Sequence, residues 1–329
     1  MANEVQSEIR KELLDAFSNA GDDFLSGQHL AELIGCSRTA VWKHIEELRK
    51  EGFELDAVRN KGYRIIKTPE KITADEIRLG LSTMFMGRNI HYEDTVESTQ
   101  KIAHHLASED APEGTIIIAE EQLSGRGRMA RKWHSPKYTG IWMSMILRPN
   151  IPLNHAPQLT LLAAVAIVQA CEEMTDLILD IKWPNDILIS GKKITGILTE
   201  LQAEADQIHS IIMGIGINVN QKKDDFPSEL REIATSLFIE KGETVSRAEL
   251  IKSILKHFEN LYTLYLEQGF LPIKLLWEGY ATSIGKNIKA RTLTKTIEGR
   301  ALGITNDGVL KLEDQTGFIH HIYSADIEI

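Results

Sequence analysis

The chain has 329 residues, with 37 Lys and Arg against 47 Asp and Glu and a formal net charge of −10. That length exceeds one typical domain of ~100–200 residues, and 43% hydrophobic with 26% charged residues excludes wholesale disorder. Two cysteines, Cys36 and Cys171, exclude a disulfide framework and a cysteine-only zinc site.

The N-terminal residues mix both charge signs and lack the apolar core of a targeting signal. The longest apolar stretch, 159–168, is about half the ~20 residues of a membrane-spanning helix. The expectation is a soluble cytoplasmic protein with no membrane partner. The acidic total still hides a local reversal. Residues 1–36 hold two basic and seven acidic residues, whereas 37–67 hold eight basic and five acidic.

Helical periodicity runs over 6–20 through Ile9, Leu13, Leu14 and Phe17. A second helix starts at the N-cap Ser26 and runs through Leu30, Leu33 and Ile34. Gly35-Cys36-Ser37 breaks it, and Ser37 caps a third helix with an apolar stripe of Val41, Ile45 and Leu48. Small Ala31 and Gly35 allow the helices to cross closely. This is helix-turn-helix spacing. The face opposite the stripe offers Ser37, Arg38, Thr39, Lys43 and His44 to phosphates and base edges. The period then changes to two at Phe53, Leu55 and Ala57, turns at 59–62 and returns over 63–66. That basic hairpin reads as a wing, with Arg59, Lys61 and Arg64 aimed at the DNA backbone. A helical module that binds protein or only dimerises is the alternative. Residues 67–71 form a linker, and a capping box at Thr73 and Glu76 opens a new helix.

Strands are expected at 90–96, 115–121, 141–147, 178–182, 187–189, 194–203 and 207–219. Short turns at Gly191-Lys192 and Ala205-Asp206 make hairpins, because parallel strands need long crossovers. A mixed, mostly antiparallel sheet with packed helices at 157–174 and 246–268 follows, an α+β class. Alternation over 288–329 with a turn at 306–308 gives a small β-rich end, so three domains are expected: 1–67, 72–282 and 283–329.

Three clusters carry chemistry. Gly125-Arg126-Gly127-Arg128, followed by Arg131 and Lys132, combines a free backbone with four cations in seven residues, an anion trap. It matches neither the P-loop nor the dinucleotide fingerprint, and an ordinary basic surface loop is the alternative. Lys182-Trp183-Pro184-Asn185-Asp186 breaks two apolar strands. Lys182 ends one of them, where an ammonium is costly unless it meets an anion; a Trp-Pro turn with a salt-bridged lysine is the other reading. Glu97-Ser98-Thr99-Gln100 opens a helix with neutral polar groups suited to an uncharged polar ligand, or serves only to cap it.

Together with KKITGIL at 192–198 and GIGINVN at 214–220, these motifs resemble the bacterial biotin protein ligases, in the bifunctional subgroup that also represses the biotin operon. The resemblance covers nearly the whole chain. It implies a winged helix, a class II synthetase-like ligase fold and an SH3-like barrel. It implies that biotin and Mg-ATP give biotinyl-5′-AMP and pyrophosphate, and that the adenylate acylates a lysine of a biotin carboxyl carrier domain of a biotin-dependent carboxylase. By position, Ser98, Thr99, Gln100 and Gln122 hold the biotin ureido ring. Arg126, Gly127 and Arg128 wrap the adenylate, Lys182 sits between carboxylate and α-phosphate, and Asn218 contacts the nucleotide. Met129-Ala130 departs from relatives that carry a further Arg-Gly, so Arg131 is left out. The adenylate is the implied corepressor, promoting a homodimer on a palindromic operator. A ligand-sensing transcription factor without catalysis and a ligase for lipoate or octanoate are the competing classes.

Overall fold

The computed structural model describes residues 2–50, 52–59, 61–67, 71–204, 207–292 and 294–328, with side chains from residue 9 onward except Lys11 and Lys67. The chain divides into two compact units, Met1–Ser82 and Thr83–Ile329.

In the first unit, α1 (Ala2–Ala20), α2 (Gly27–Ile34) and α3 (Arg38–Lys50) precede a hairpin of β1 (Glu54–Val58) and β2 (Gly62–Lys67). Leu13, Leu14, Phe17, Leu30, Val41, Ile45 and Leu48 form its core, as the spacing requires. Leu33 does not join them and is exposed. Ser26 Oγ accepts from His29 N at 3.0 Å and Ser37 Oγ from Ala40 N at 3.1 Å, so both expected caps form. Gly35 is required by its backbone rather than by close approach. Its φ is +68°, and a Cβ there would meet nothing within 4 Å. Gly62 is required for both reasons, since at φ +115° a Cβ would collide with the Leu25 carbonyl. The turn residue Asn60 and the linker residues Thr68, Pro69 and Glu70 lie outside the described residues. Thr73 caps α4 (Ala74–Arg78) through Glu76 N at 3.1 Å. This helix packs on α1, so the division falls at Ser82 and Thr83 rather than at the linker.

The second unit is built on a seven-stranded sheet. In chain order its elements are β3 (Ile90–Val96), α5 (Thr99–Ser108), β4 (Ile116–Gln122), β5 (Gly140–Leu147), α6 (Ala156–Thr175), β6 (Asp180–Lys182), β7 (Asp186–Ile189), β8 (Lys192–Glu204) and β9 (Gln207–Asn218). Then follow α7 (Leu237–Lys241), α8 (Arg247–Gln268) and α9 (Leu271–Tyr280). The strand order is β3-β4-β5-β9-β8-β7-β6. Only β3 and β4 pair in parallel, with α5 as their crossover; the other pairs are antiparallel. The β7–β8 turn is Ser190-Gly191, one residue earlier than the sequence suggests, with φ of +50° and +80°. Ala205 and Asp206 lie outside the described residues, and Glu204 pairs with Gln207 across them. Helices α7 and α9 were not expected from the sequence.

Period-two alternation decides where the sheet opens. Helix α5 covers Ile117, Ile146 and Ile212 on one face. Further along β9 on that face come Gly214 and Gly216, opposite Leu198 and Gly196 on β8. With glycine at three of these four positions and only Leu198 carrying a side chain, the face beyond α5 is hollow. The opposite face is covered by α6 and α8, and α6 is buried over most of its circumference.

The last part is a five-stranded antiparallel sheet of β10 (Asn287–Arg291), β11 (Thr296–Ile304), β12 (Leu310–Glu313), β13 (Ile319–Ile322) and β14 (Asp326–Glu328). Its order is β13-β12-β11-β10-β14, with β13 and β14 at the edges. Its turn docks on α6, where Gln158 Nε2 donates to Asn306 O at 2.9 Å and Trp183 Nε1 to Gly308 O at 3.3 Å.

Candidate functional site

A cavity of about 520 Å³ occupies the hollow above the glycine floor. Ser98, Thr99, Gln100, Gln122, Arg126, Gly127, Arg128, Lys182 and Asn218 all line it. These nine residues come from three separated motifs and two strand ends, yet they share one wall.

One end is neutral and polar. Gln122 Oε1 accepts from Thr99 N at 2.9 Å and from Thr99 Oγ1 at 3.2 Å. Thr99 Oγ1 lies 2.8 Å from Ser144 Oγ, which donates to Gln100 Oε1 at 2.9 Å. Gln100 Nε2 donates to Leu198 O at 3.3 Å and Ile212 O at 3.1 Å. The network fixes every rotamer in it, as a site that reads a polar ligand requires. Ser98 stands at the N-cap position of α5, but its hydroxyl makes no capping bond. Capping therefore does not explain it.

The other end is cationic. Six Lys and Arg side chains line the cavity against three carboxylates. They divide by partner. Arg128 Nη1 donates to Asn185 Oδ1 at 3.0 Å and Nη2 to Ser324 Oγ at 2.6 Å. Arg131 pairs with Asp326, and Lys193 Nζ pairs with Asp186 Oδ1 at 2.6 Å. By contrast, Lys182 and Arg126 have no side-chain ion pair or hydrogen bond among the described residues. The salt-bridged reading of Lys182 is not what forms. Burial lowers the Arg128 guanidinium below its ordinary value, against the opposing pull of Asp186 and Asp326.

The loop carrying these arginines is closed on itself. Gly127 N donates to Arg131 O at 2.8 Å and Trp133 N to Gly125 O at 2.9 Å. Met129 and Ala130 both hold left-handed backbone, φ +55° and +56°. Each costs about 1 kcal/mol or more for a residue with a Cβ.

Asn218 lines the cavity with its amide braced from behind. Nδ2 donates to Thr235 O at 3.0 Å, and Oδ1 accepts from Gln221 Nε2 at 3.2 Å. One N–H and one lone pair of the amide remain beyond these two bonds.

Sequence reasoning missed Trp133, Lys193, Ser324 and Asp326. The Trp133 indole lies across the floor. A Cβ on Gly196 would stand 2.9 Å from its ring, and one on Gly216 would collide with Nε1. Lys193 Nζ is 5.3 Å from the ring centroid, and the buried Trp133 Nε1 has no acceptor. Glycines inside strands signal such close approach, so KKITGIL and GIGINVN carried the clue.

In the first unit, Ser37, Arg38, Thr39, Lys43, Arg59 and Lys61 are exposed. Two expected contacts are not available. His44 is only 5% exposed, turned into the core side of α3 beside Glu47 at 3.2 Å. One position after Lys43, it rotates about 100° away from the outer face. Arg64 is half-buried, with its guanidinium 4.6 Å from the Phe24 ring centroid and Nη2 3.4 Å from Asp56 Oδ2. It braces the wing.

Family comparisons match all three parts of the chain. Residues 92–218 match the Biotin/lipoate A/B protein ligase family, 10–64 an HTH domain, and 283–329 the Biotin protein ligase C terminal domain. The chain is 60% identical over 325 residues to the bifunctional ligase/repressor BirA of Bacillus spizizenii, covering 99% of this chain and 100% of that one. It is 59% identical, with the same coverage, to that of Bacillus subtilis. Among solved structures, the biotin protein ligase of Aquifex aeolicus in complex with biotin and ATP superposes with a TM-score of 0.64 at 30% identity. That match covers 73% of this chain and 98% of the other. No helix among the described residues is long and apolar enough to cross a membrane. The chain belongs to the bifunctional family of biotin protein ligases that are also repressors.

Proposed function

We propose that this chain makes biotinyl-5′-AMP from biotin and Mg-ATP, transfers the biotinyl group to a carrier-domain lysine, and represses transcription with the adenylate as corepressor. The observation that most supports it is the convergence in one cavity of a fixed neutral network and three cations, Arg126, Lys132 and Lys182, that have no side-chain ion pair or hydrogen bond among the described residues.

An oxygen of the biotin carboxylate attacks the α-phosphorus, the bond from that phosphorus to the bridging oxygen breaks, and pyrophosphate leaves. Two anions must approach, and fixed cations offset their repulsion and the charge of the transition state. Lys182 and Arg126 suit this role, because among the described residues no carboxylate pairs with either. Thr99, Gln100, Gln122 and Ser98 orient the uncharged ureido ring. Mg²⁺ enters with the nucleotide and needs few protein ligands. In the second step the acceptor lysine's amine attacks the acyl carbon, AMP leaves, and the amine loses a proton. The enzyme needs no nucleophile of its own there, and the 124–132 loop keeps water from the mixed anhydride. Asp186 is engaged by Lys193 and is not assigned as a base.

One winged helix reads a short half-site, so repression calls for a homodimer on a palindromic operator. Ordering of the 124–132 loop by the adenylate couples ligand to dimer. Sedimentation with biotin and ATP tests this. A monomer–dimer constant that ligand leaves unchanged refutes the coupling.

The deciding experiment incubates the protein with ATP, labelled biotin and the biotin carrier domain of a carboxylase. Label on the carrier lysine is expected. Absence of transfer, or equal transfer of lipoate or octanoate, overturns the reading.

A further inference from the structure

The outer face of α3 carries a residue that neither site explains. Trp42 is 54% exposed. At 100° per residue, positions 38, 39, 42, 43 and 46 share one side of the helix. The burial pattern agrees: Val41, His44, Ile45 and Leu48 face the core, while Arg38, Thr39, Trp42 and Lys43 face outward. The indole therefore stands in the middle of the surface a recognition helix presents, one turn beyond Arg38 and beside Lys43. No ring contact or hydrogen bond holds it among the described residues.

We propose that Trp42 reads a thymine C5-methyl group in the major groove, so that this apolar contact specifies part of each operator half-site. The inference rests on the DNA-binding reading and names the base it selects. Charge complementarity identifies the occupant of this face. Arg38 and Lys43 flank the indole, and Arg59 and Lys61 stand exposed on the wing of the same unit. A polyanion fits that surface. Cations on the phosphates hold position without reading sequence, whereas the thymine methyl is the one apolar feature on the major-groove base edges. The apolar face of a large ring between two cations suits that feature, while the flanking cations suit the phosphates. Its planar indole also gains more from removal of water than a polar side chain would.

The test uses the full chain with biotin and ATP present. Sequences are first selected from a duplex library with a random core, and the thymines of the selected site are then replaced one at a time by uracil, which removes only the methyl. With wild-type protein, one uracil position per half-site is expected to weaken binding about tenfold, the scale of one lost base contact. In Trp42→Ala the same replacement is expected to change nothing, because its partner is already gone. Lys43→Ala is expected to weaken all duplexes alike and to flatten the salt dependence. Uracil costing the same in both proteins overturns the proposal, as does uracil costing nothing in the wild type. Failure to select any sequence overturns the DNA-binding reading and this inference with it. The uracil arm uses unaltered protein, so uracil costing nothing overturns the proposal even where Trp42→Ala does not fold, and Trp42→Phe, which keeps an aromatic ring, then supplies the comparison.

Discussion

Arg128 Nη1 donates to Asn185 Oδ1 at 3.0 Å, joining the Gly-Arg loop to the Lys-Trp-Pro-Asn-Asp turn 57 residues later. The same guanidinium reaches Ser324 on the C-terminal sheet. Three parts of the chain thus meet on one cation, and the loop is held over the cavity from two sides. Lys182 and Arg126 stay free to meet an anionic ligand.

Lys182→Ala is expected to lower adenylation by about 10²-fold or more, the scale for losing a preorganised charge contact. ATP–pyrophosphate exchange measures it. Exchange near the wild-type rate removes Lys182 from the first half-reaction.

Arg126→Ala is expected to release biotinyl-AMP into solution, because the loop loses its unpaired grip on the phosphate. Labelled adenylate that stays with the variant through gel filtration as it does with wild type contradicts this.

Asp326→Ala separates the loop latch from stability. Arg131 and Asp326 are both largely solvent-accessible, 65% and 37%, and exposed pairs contribute about 0–1 kcal/mol. The melting temperature is expected to fall by no more than about 4 °C, while adenylate dissociates faster. An unchanged dissociation rate refutes the latch.

The buried pair behaves differently. Arg247 Nη1 donates to Glu120 Oε2 at 2.6 Å and to Gly140 O at 3.1 Å, with both residues almost fully inside. Arg247→Met alone is expected to destabilise by about 3–5 kcal/mol, because it leaves a carboxylate buried without its counter-ion. Adding Glu120→Leu is expected to recover much of that in urea unfolding. A single variant as stable as wild type contradicts the charge argument.

Burial pushes the Cys171 thiol up to about 12, with Glu172 adding to the effect. A thiol whose pKa is raised stays neutral up to a higher pH, and only the thiolate reacts. At pH 8 one thiol per native chain, Cys36, is expected to react with a disulfide reagent, and two in denaturant. Two fast thiols in the native protein refute the assignment.

Much of this was legible in sequence because it is local. Caps at Ser26, Ser37 and Thr73, and the alternation of β3 through β9, depend on neighbours within a few residues. The binding motifs were legible because their residue types are chemically unusual for a strand end or a loop. Whether a side chain is spent or free is not local. That Thr235 and Gln221 each take one bond from the Asn218 amide is visible only in the fold. His44 and Arg64 carried the right charge type on the right element but faced inward or onto Phe24.

By itself the sequence determined the order of most elements, the family and the motif residues around the cavity, since periodicity and motif chemistry are written in the chain. Only the tertiary structure decided which cations are paired. Ion pairs such as Arg131 with Asp326 join residues 195 apart in the chain, and their formation depends on how the sheets pack. Packing within the first unit exposes the apolar Trp42 and buries His44 two positions on, and packing within the second leaves Lys182 without an ion pair among the described residues.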